Sequence, residues 1–69
     1  MMTIRLKLGK NIKKLRQRRR YTQQKLSEEA SIDYKYLQKI EGKNPPNLKI
    51  ETIARLAKAL KVTPATLLE

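Results

Sequence analysis

The sequence has 69 residues, 17 of them Lys or Arg against 6 Asp or Glu, for a formal charge of +11 at pH 7. That length supports one domain, 1–69, with a small core, because a chain this short buries only about 60% of its unfolded surface. There is no cysteine and no histidine, which removes disulfide staples, thiolate and imidazole metal sites and the usual general base, and makes a reducing cytoplasm the natural compartment.

The charge is unevenly placed. Residues 1–20 hold nine cations and no acid, residues 21–44 four of each sign, and residues 45–69 four cations and two acids. For any single lysine, a solvated surface is the simpler reading. Taken together, so much charge of one sign favours a polyanionic partner: nucleic acid first, an acidic membrane or protein second. No stretch approaches 18 apolar residues and the N-terminus lacks a signal-like apolar run, so no membrane association is expected.

In chain order, Ile4, Leu8, Ile12 and Leu15 recur at helical spacing and predict one apolar stripe on a basic first helix. Arg18 to Arg20 stand near its C-terminal end, where cations suit the helix dipole. Ile4, Leu6 and Leu8 also alternate, which leaves open a short extended arm before the helix. Thr22 is an N-cap for a short second helix, Gln23 to Ala30, buried through Leu26 and Ala30 with the small Ser27 between them. Ser31 breaks the chain. Asp33 caps a third helix, with Ile32 and Leu37 placed as a hydrophobic staple and Leu37 and Ile40 facing inward. Gly42 is expected to end it.

Asn44-Pro45-Pro46-Asn47 reads as a loop, since two prolines cannot continue a helix. A fourth helix is expected from about Leu48 to Leu60, on a stripe of Ile50, Ile53, Leu56, Ala57 and Leu60. Thr63-Pro64 is a start signal for a short fifth helix, which Val62 and Leu67 can staple. The expected fold class is therefore all-α: a compact five-helix DNA-binding domain with a helix-turn-helix at about 23–43.

Gln23 to Lys43 is the informative stretch. Two helices joined by so short a turn can cross steeply only where small residues meet, and Ser27 and Ala30 supply them. The first helix then props the second, whose outer face is free to enter a major groove. With Leu37 and Ile40 inward, Lys35, Gln38, Lys39 and Gly42 point outward, and Tyr34 and Tyr36 lie on the flanks. Lys can donate to guanine O6 and N7, and Gln can bond adenine through two hydrogen bonds.

From Leu8 to Leu68 the chain resembles the phage lambda and 434 repressor/Cro type of helix-turn-helix domain. The resemblance is carried by Leu8-Gly9, Ile12, Leu15-Arg16, Thr22-Gln23, Leu26, Ala30, Leu37, Ile40-Glu41-Gly42-Lys43, Pro46, Leu48, Ile53, Leu56-Ala57, Ala59-Leu60, Val62 and Leu67. It implies five helices, with base contacts from Tyr34, Lys35, Gln38 and Lys39. It implies phosphate contacts from Gln23, at a helix N-terminus, and from Lys43 and Asn44 in the following loop. It also implies a buried structural ion pair between Arg16 and Glu41. Ser27 stands where the family often has Ala, and its hydroxyl can bond back to a backbone carbonyl. Ser31 and Lys61 stand where it often has Gly, at sites that tend to need a left-handed backbone.

The resemblance implies a sequence-specific transcriptional regulator that binds double-stranded DNA as a homodimer, most often a repressor or controller protein. Leu67 and Leu68 are the dimer-interface candidates, one of them expected to belong to the core instead. A protein-binding adaptor or antitoxin-type module on the same fold is the alternative, disfavoured by the Lys-Gln-Lys outer face of the third helix. An enzyme is not expected: Glu28 and Glu29 are adjacent and so diverge on a helix, and nothing else supplies catalytic groups. No metal, cofactor or small-molecule ligand is implied. A membrane-active reading of the first helix fails because its narrow apolar stripe has a core to enter.

Overall fold

The computed structural model describes residues 3–69. It contains five helices: α1 (Ile4–Arg18), α2 (Gln23–Ala30), α3 (Tyr34–Ile40), α4 (Ile50–Ala59) and α5 (Pro64–Leu68). Four of them start on a side-chain cap. Thr3 accepts from the Leu6 N–H at 3.2 Å, Thr22 from Lys25 at 3.0 Å, Asp33 from Tyr36 at 3.2 Å and Thr63 from Thr66 at 3.3 Å. Each bond satisfies an N–H that the helix cannot satisfy itself, a contribution of about 1 kcal/mol. Thr3 therefore decides between the two readings of the N-terminal alternation: Ile4, Leu6 and Leu8 are helical, and no extended arm occurs over residues 4–8.

The C-terminal ends of α1, α2 and α4 share one device. Residues Arg20, Ser31 and Lys61 have φ of 58°, 56° and 57°. The next residue in each case, Tyr21, Ile32 or Val62, donates its N–H five residues back, to Arg16, Ser27 and Ala57, at 2.9–3.0 Å. This is the Schellman arrangement, and its usual hydrophobic contact is present, because Tyr21, Ile32 and Val62 all pack against the core. The left-handed backbone is thus found at Ser31 and Lys61, where the resemblance noted above leads one to expect glycine, and also at Arg20. In contrast, Gly42 has no positive φ. It does not end α3 through a left-handed residue: the helix closes with Glu41 N–H to Leu37 and Gly42 N–H to Lys39.

One core joins the helices. Leu8, Ile12, Leu26, Ala30, Leu37, Ile40, Leu56, Ala57, Leu60 and Leu67 are buried. Through it, α1 packs on α5, α2 on α3 and α4, and α4 on α5. Two residues expected in apolar stripes lie outside. Ile4 is 75% and Ile50 85% exposed. Each is the first residue of its helix and overhangs the layer that its helix buries further along. Helix α4 also begins later than expected, after Lys49, which makes no side-chain cap bond. No helix among the described residues is long and apolar enough to cross a membrane.

Candidate nucleic-acid interface

Helices α2 and α3 meet through small side chains. Ser27 and Ala30 are buried at the crossing, and the Ser27 hydroxyl donates to the Gln24 carbonyl at 2.7 Å. That bond removes the penalty of a buried hydroxyl. Leu37 and Ile40 anchor the inner face of α3 in the core. With those two fixed, positions 35, 38 and 39 face outward. Lys35, Gln38 and Lys39 are fully on the surface, Tyr34 is 43% exposed, and Tyr36 is half-buried against the core. Tyr36 is therefore a flank that supports the helix, while Tyr34 stands free at its start.

The electrostatics of this face depend on one buried pair. Glu41 follows α3 directly, and its side chain is only 2% exposed. Arg16 reaches it from α1 with both prongs of its guanidinium: Nε to Oε2 at 2.9 Å and Nη2 to Oε1 at 2.9 Å. The third nitrogen, Nη1, donates to the Tyr21 carbonyl at 2.7 Å. Planar two-pronged pairing of this kind is the strongest form of the contact. Its consequence at the surface is that the carboxylate nearest the C-terminal end of α3 is neutralised inside the protein. Lys35, Lys39 and Lys43 are exposed without that carboxylate beside them at the surface.

Gln23 opens α2 and is half-buried. Its side-chain amide donates to Glu41 Oε1 at 3.2 Å, so it also belongs to the Arg16–Glu41 network. The N-terminus of α2 keeps the free N–H groups and positive dipole end that suit an anion. Lys43 and Asn44 are exposed in the loop after α3. They line a groove of about 450 Å³ with Pro45, Pro46 and the start of α1: Thr3, Arg5 and Leu6. Arg5 carries no local signal for this placement, since 38 positions separate it from Lys43 and only the packing of α1 brings them together. On α2, Lys25 is paired with Glu29 at 3.2 Å; that carboxylate's hydrogen bond and charge raise the lysine's pKa.

This geometry separates the two C-terminal leucines and adds a close contact at Gly9. Leu67 is fully buried in the core, and its carbonyl accepts from Asn11 Nδ2 at 2.8 Å, so it presents no surface to a partner. Leu68, at 48% exposed, is the leucine left outside. The second point concerns Gly9. A Cβ there would collide with the carbonyl oxygen of Ile40, so α1 passes against the end of α3 at backbone distance. Gly9 and Arg16 together fix how α3 is held.

The helix-turn-helix domain family matches residues 9–69 of the chain. Among solved structures, the restriction-modification controller protein C.AhdI from Aeromonas hydrophila is similar at 27% identity. It has a TM-score of 0.85, with 91% of this chain and 94% of that one covered. A hypothetical transcription factor, NHTF, from Neisseria matches at 27% identity and a TM-score of 0.90, over 97% of this chain and 76% of that one. The controller protein C.Esp1396I matches at 28% identity and a TM-score of 0.84, over 97% and 86%. No curated protein sequence matches.

Proposed function

From the premise that this chain belongs to the helix-turn-helix domain family, in its repressor/Cro-like branch, we propose that it reads a palindromic operator as a homodimer, with α3 in the major groove of each half-site. DNA binding in transcriptional regulation follows from the family; the operator geometry and the residue roles are inferred from the exposed face of α3 and its surroundings. The observation that carries it is the outer face of α3. Lys35, Gln38 and Lys39 stand exposed there, while the adjacent acid, Glu41, is cancelled internally by Arg16. Tyr34, Lys35, Gln38 and Lys39 contact bases, and Gln23, Lys43 and Asn44 hold phosphates. Phosphate contacts set the register and base contacts the sequence. Arg5 joins Lys43 on the backbone, given the groove they share. The exposed Leu68 belongs to the dimer contact, and two-fold pairing puts the half-sites about one helical turn apart. Two of the similar structures are controller proteins of restriction-modification systems. Their near-complete coverage by this chain supports a small regulator of that kind, working in a bacterial or phage-infected cytoplasm.

The test is selection of bound duplexes from a random pool, followed by competition with a scrambled duplex at 150 mM salt. A two-fold motif that beats the scramble by roughly 10³ or more is the expected result. In that motif, Lys35→Ala and Gln38→Ala should each lose about 1–3 kcal/mol and relax one base position. Lys43→Ala should weaken all sequences alike and lower the salt slope by about 1. An unenriched pool with binding that vanishes as salt rises would sink the reading and leave the adaptor alternative.

A further inference from the structure

The outer face of α1 carries cations that the α3 site does not use. The buried side of this helix is formed by Leu8, Gly9, Ile12 and Arg16. Helical periodicity then puts Lys7, Lys10 and Lys14 on the opposite face, with Arg18 at its edge. All four are exposed. They extend over twelve residues, 7–18, about 16 Å of helix. The first 20 residues contain no acid. The ion pairs among the described residues, Arg16–Glu41 and Lys25–Glu29, involve none of the four.

The spacing is the physical point. Steps of three, four and four residues set each cation beside the next, and like charges at those steps destabilise a helix. A surface that serves solubility alone mixes the two signs. The stripe also faces the wrong way for the duplex on α3. Gly9 touches the end of α3 and Arg16 binds Glu41, so α3 lies against the buried side of α1. A duplex seated on α3 therefore lies on the side away from the stripe, whose Lys14 and Arg18 line a cavity with Thr66 and Glu69 of the C-terminal end.

We infer that the Lys7–Lys10–Lys14–Arg18 stripe is a second duplex-binding face, which grips the phosphate backbone of a separate DNA segment so that one protein molecule bridges two duplexes. About 16 Å of duplex presents on the order of nine phosphates, one per ~1.7 Å of axis, to a linear row of cations. Lys and Arg on phosphates carry no sequence preference, so the second segment is bound without regard to sequence. An anionic membrane is the other polyanion of this shape. Binding there needs apolar residues free to enter the lipid, and those of α1, Leu8 and Ile12, are buried in the core. The first duplex, on α3, rests on the function proposed above; the stripe does not.

The experiment loads the protein on a bead-bound operator duplex and adds a fluorescent duplex of unrelated sequence at 50 mM salt. The wild type should retain the second duplex. A variant with Lys7, Lys10, Lys14 and Arg18 all changed to Gln should load within about threefold of wild type yet retain at least tenfold less. Retention by the wild type should fall with salt with a log–log slope of up to about −3.6, for four phosphates. A charge-matched control, with Lys49, Arg55, Lys58 and Lys61 changed to Gln, should retain the duplex as the wild type does. Circular dichroism melts confirm that the variants are folded. Equal retention by the stripe variant, equal loss by the control, or retention of phosphatidylserine vesicles in place of the duplex would each overturn the inference. If the protein selects no operator, the function proposed above has failed by itself. The stripe is then tested on Lys35→Ala/Gln38→Ala protein, which should still bind the unrelated duplex and lose it only when the four stripe residues are also changed.

Discussion

At the scale of single residues, two contacts decide how α3 is held against α1. Arg16 and Glu41 form a charged pair with little access to water. Glu41→Ala leaves the guanidinium stranded, which should destabilise the domain by about 3–5 kcal/mol. The whole stability of a chain this short is roughly 3–10 kcal/mol, so a circular dichroism melt should find the variant largely unfolded near 37 °C. The double change Arg16→Met/Glu41→Leu removes both charges and should recover most of the loss; a double variant as unstable as the single one would show that the pair is not the cause. Gly9 acts by having no side chain. In Gly9→Ala, the new Cβ meets the Ile40 backbone oxygen, which cannot rotate away, and a penalty of about 1–3 kcal/mol is expected in urea unfolding. A Cβ at Gly42 would lie 3.2 and 3.4 Å from the backbone oxygens of Gln38 and Lys39, a much smaller overlap, so Gly42→Ala should cost less than Gly9→Ala. Reversal of that order would contradict the close approach of α1 and α3.

At the scale of elements, the helix starts and the helix ends are built on different terms. Thr3, Thr22, Asp33 and Thr63 cap their helices with side chains suited to the task. The Schellman ends of α1, α2 and α4 instead place Arg20, Ser31 and Lys61 in a left-handed backbone, which costs about 1–2 kcal/mol per residue with a Cβ. Replacing all three with Gly should relieve part of that, offset by the greater freedom of glycine in the unfolded chain. A net gain of about 1–2 kcal/mol corresponds to a rise in Tm on the order of 4–16 °C for a domain of this size. A lower Tm would mean that the side chains contribute contacts outweighing the strain. Element boundaries were legible in the sequence wherever a cap or a proline marked them, as at Thr22, Asp33 and Thr63-Pro64. The start of α4 carries no capping side chain, so the apolar run alone set it too early, at Leu48. Ile4 and Ile50 keep the right helical period but lie at helix starts, where period carries no information about what lies opposite.

At the scale of the whole molecule, the +11 charge and the single small core set the behaviour. Neutralising roughly 6–10 phosphates predicts a fall in affinity of about 10³–10⁵ between 50 and 200 mM salt. The proposed dimer should depend on surface that the protomer leaves open, and Leu68 provides it where Leu67 does not. In sedimentation, Leu68→Glu should shift the protein toward monomer without lowering its Tm, and operator affinity should drop as the second half-site is lost. Leu67→Glu should instead unfold the protomer, because it buries a charge without a partner. A Leu68→Glu protein that sediments as wild type would move the dimer contact elsewhere.

The sequence by itself determined the helix count, the caps at Thr22, Asp33 and Thr63, the turn between α2 and α3, and the residues that α3 turns outward. Each of these follows from spacing within a few positions, and local spacing is enough to place a side chain on one face of a helix. Only the tertiary structure decided what meets across long separations. It put Gly9 against Ile40, gave Gln23 a share in the Arg16–Glu41 network, set Arg5 and Lys43 around one groove, and sent Leu67 inward while Leu68 stayed out. The physical reason is that these outcomes depend on how whole helices cross, and the crossing is settled by the summed burial of all five stripes in one core.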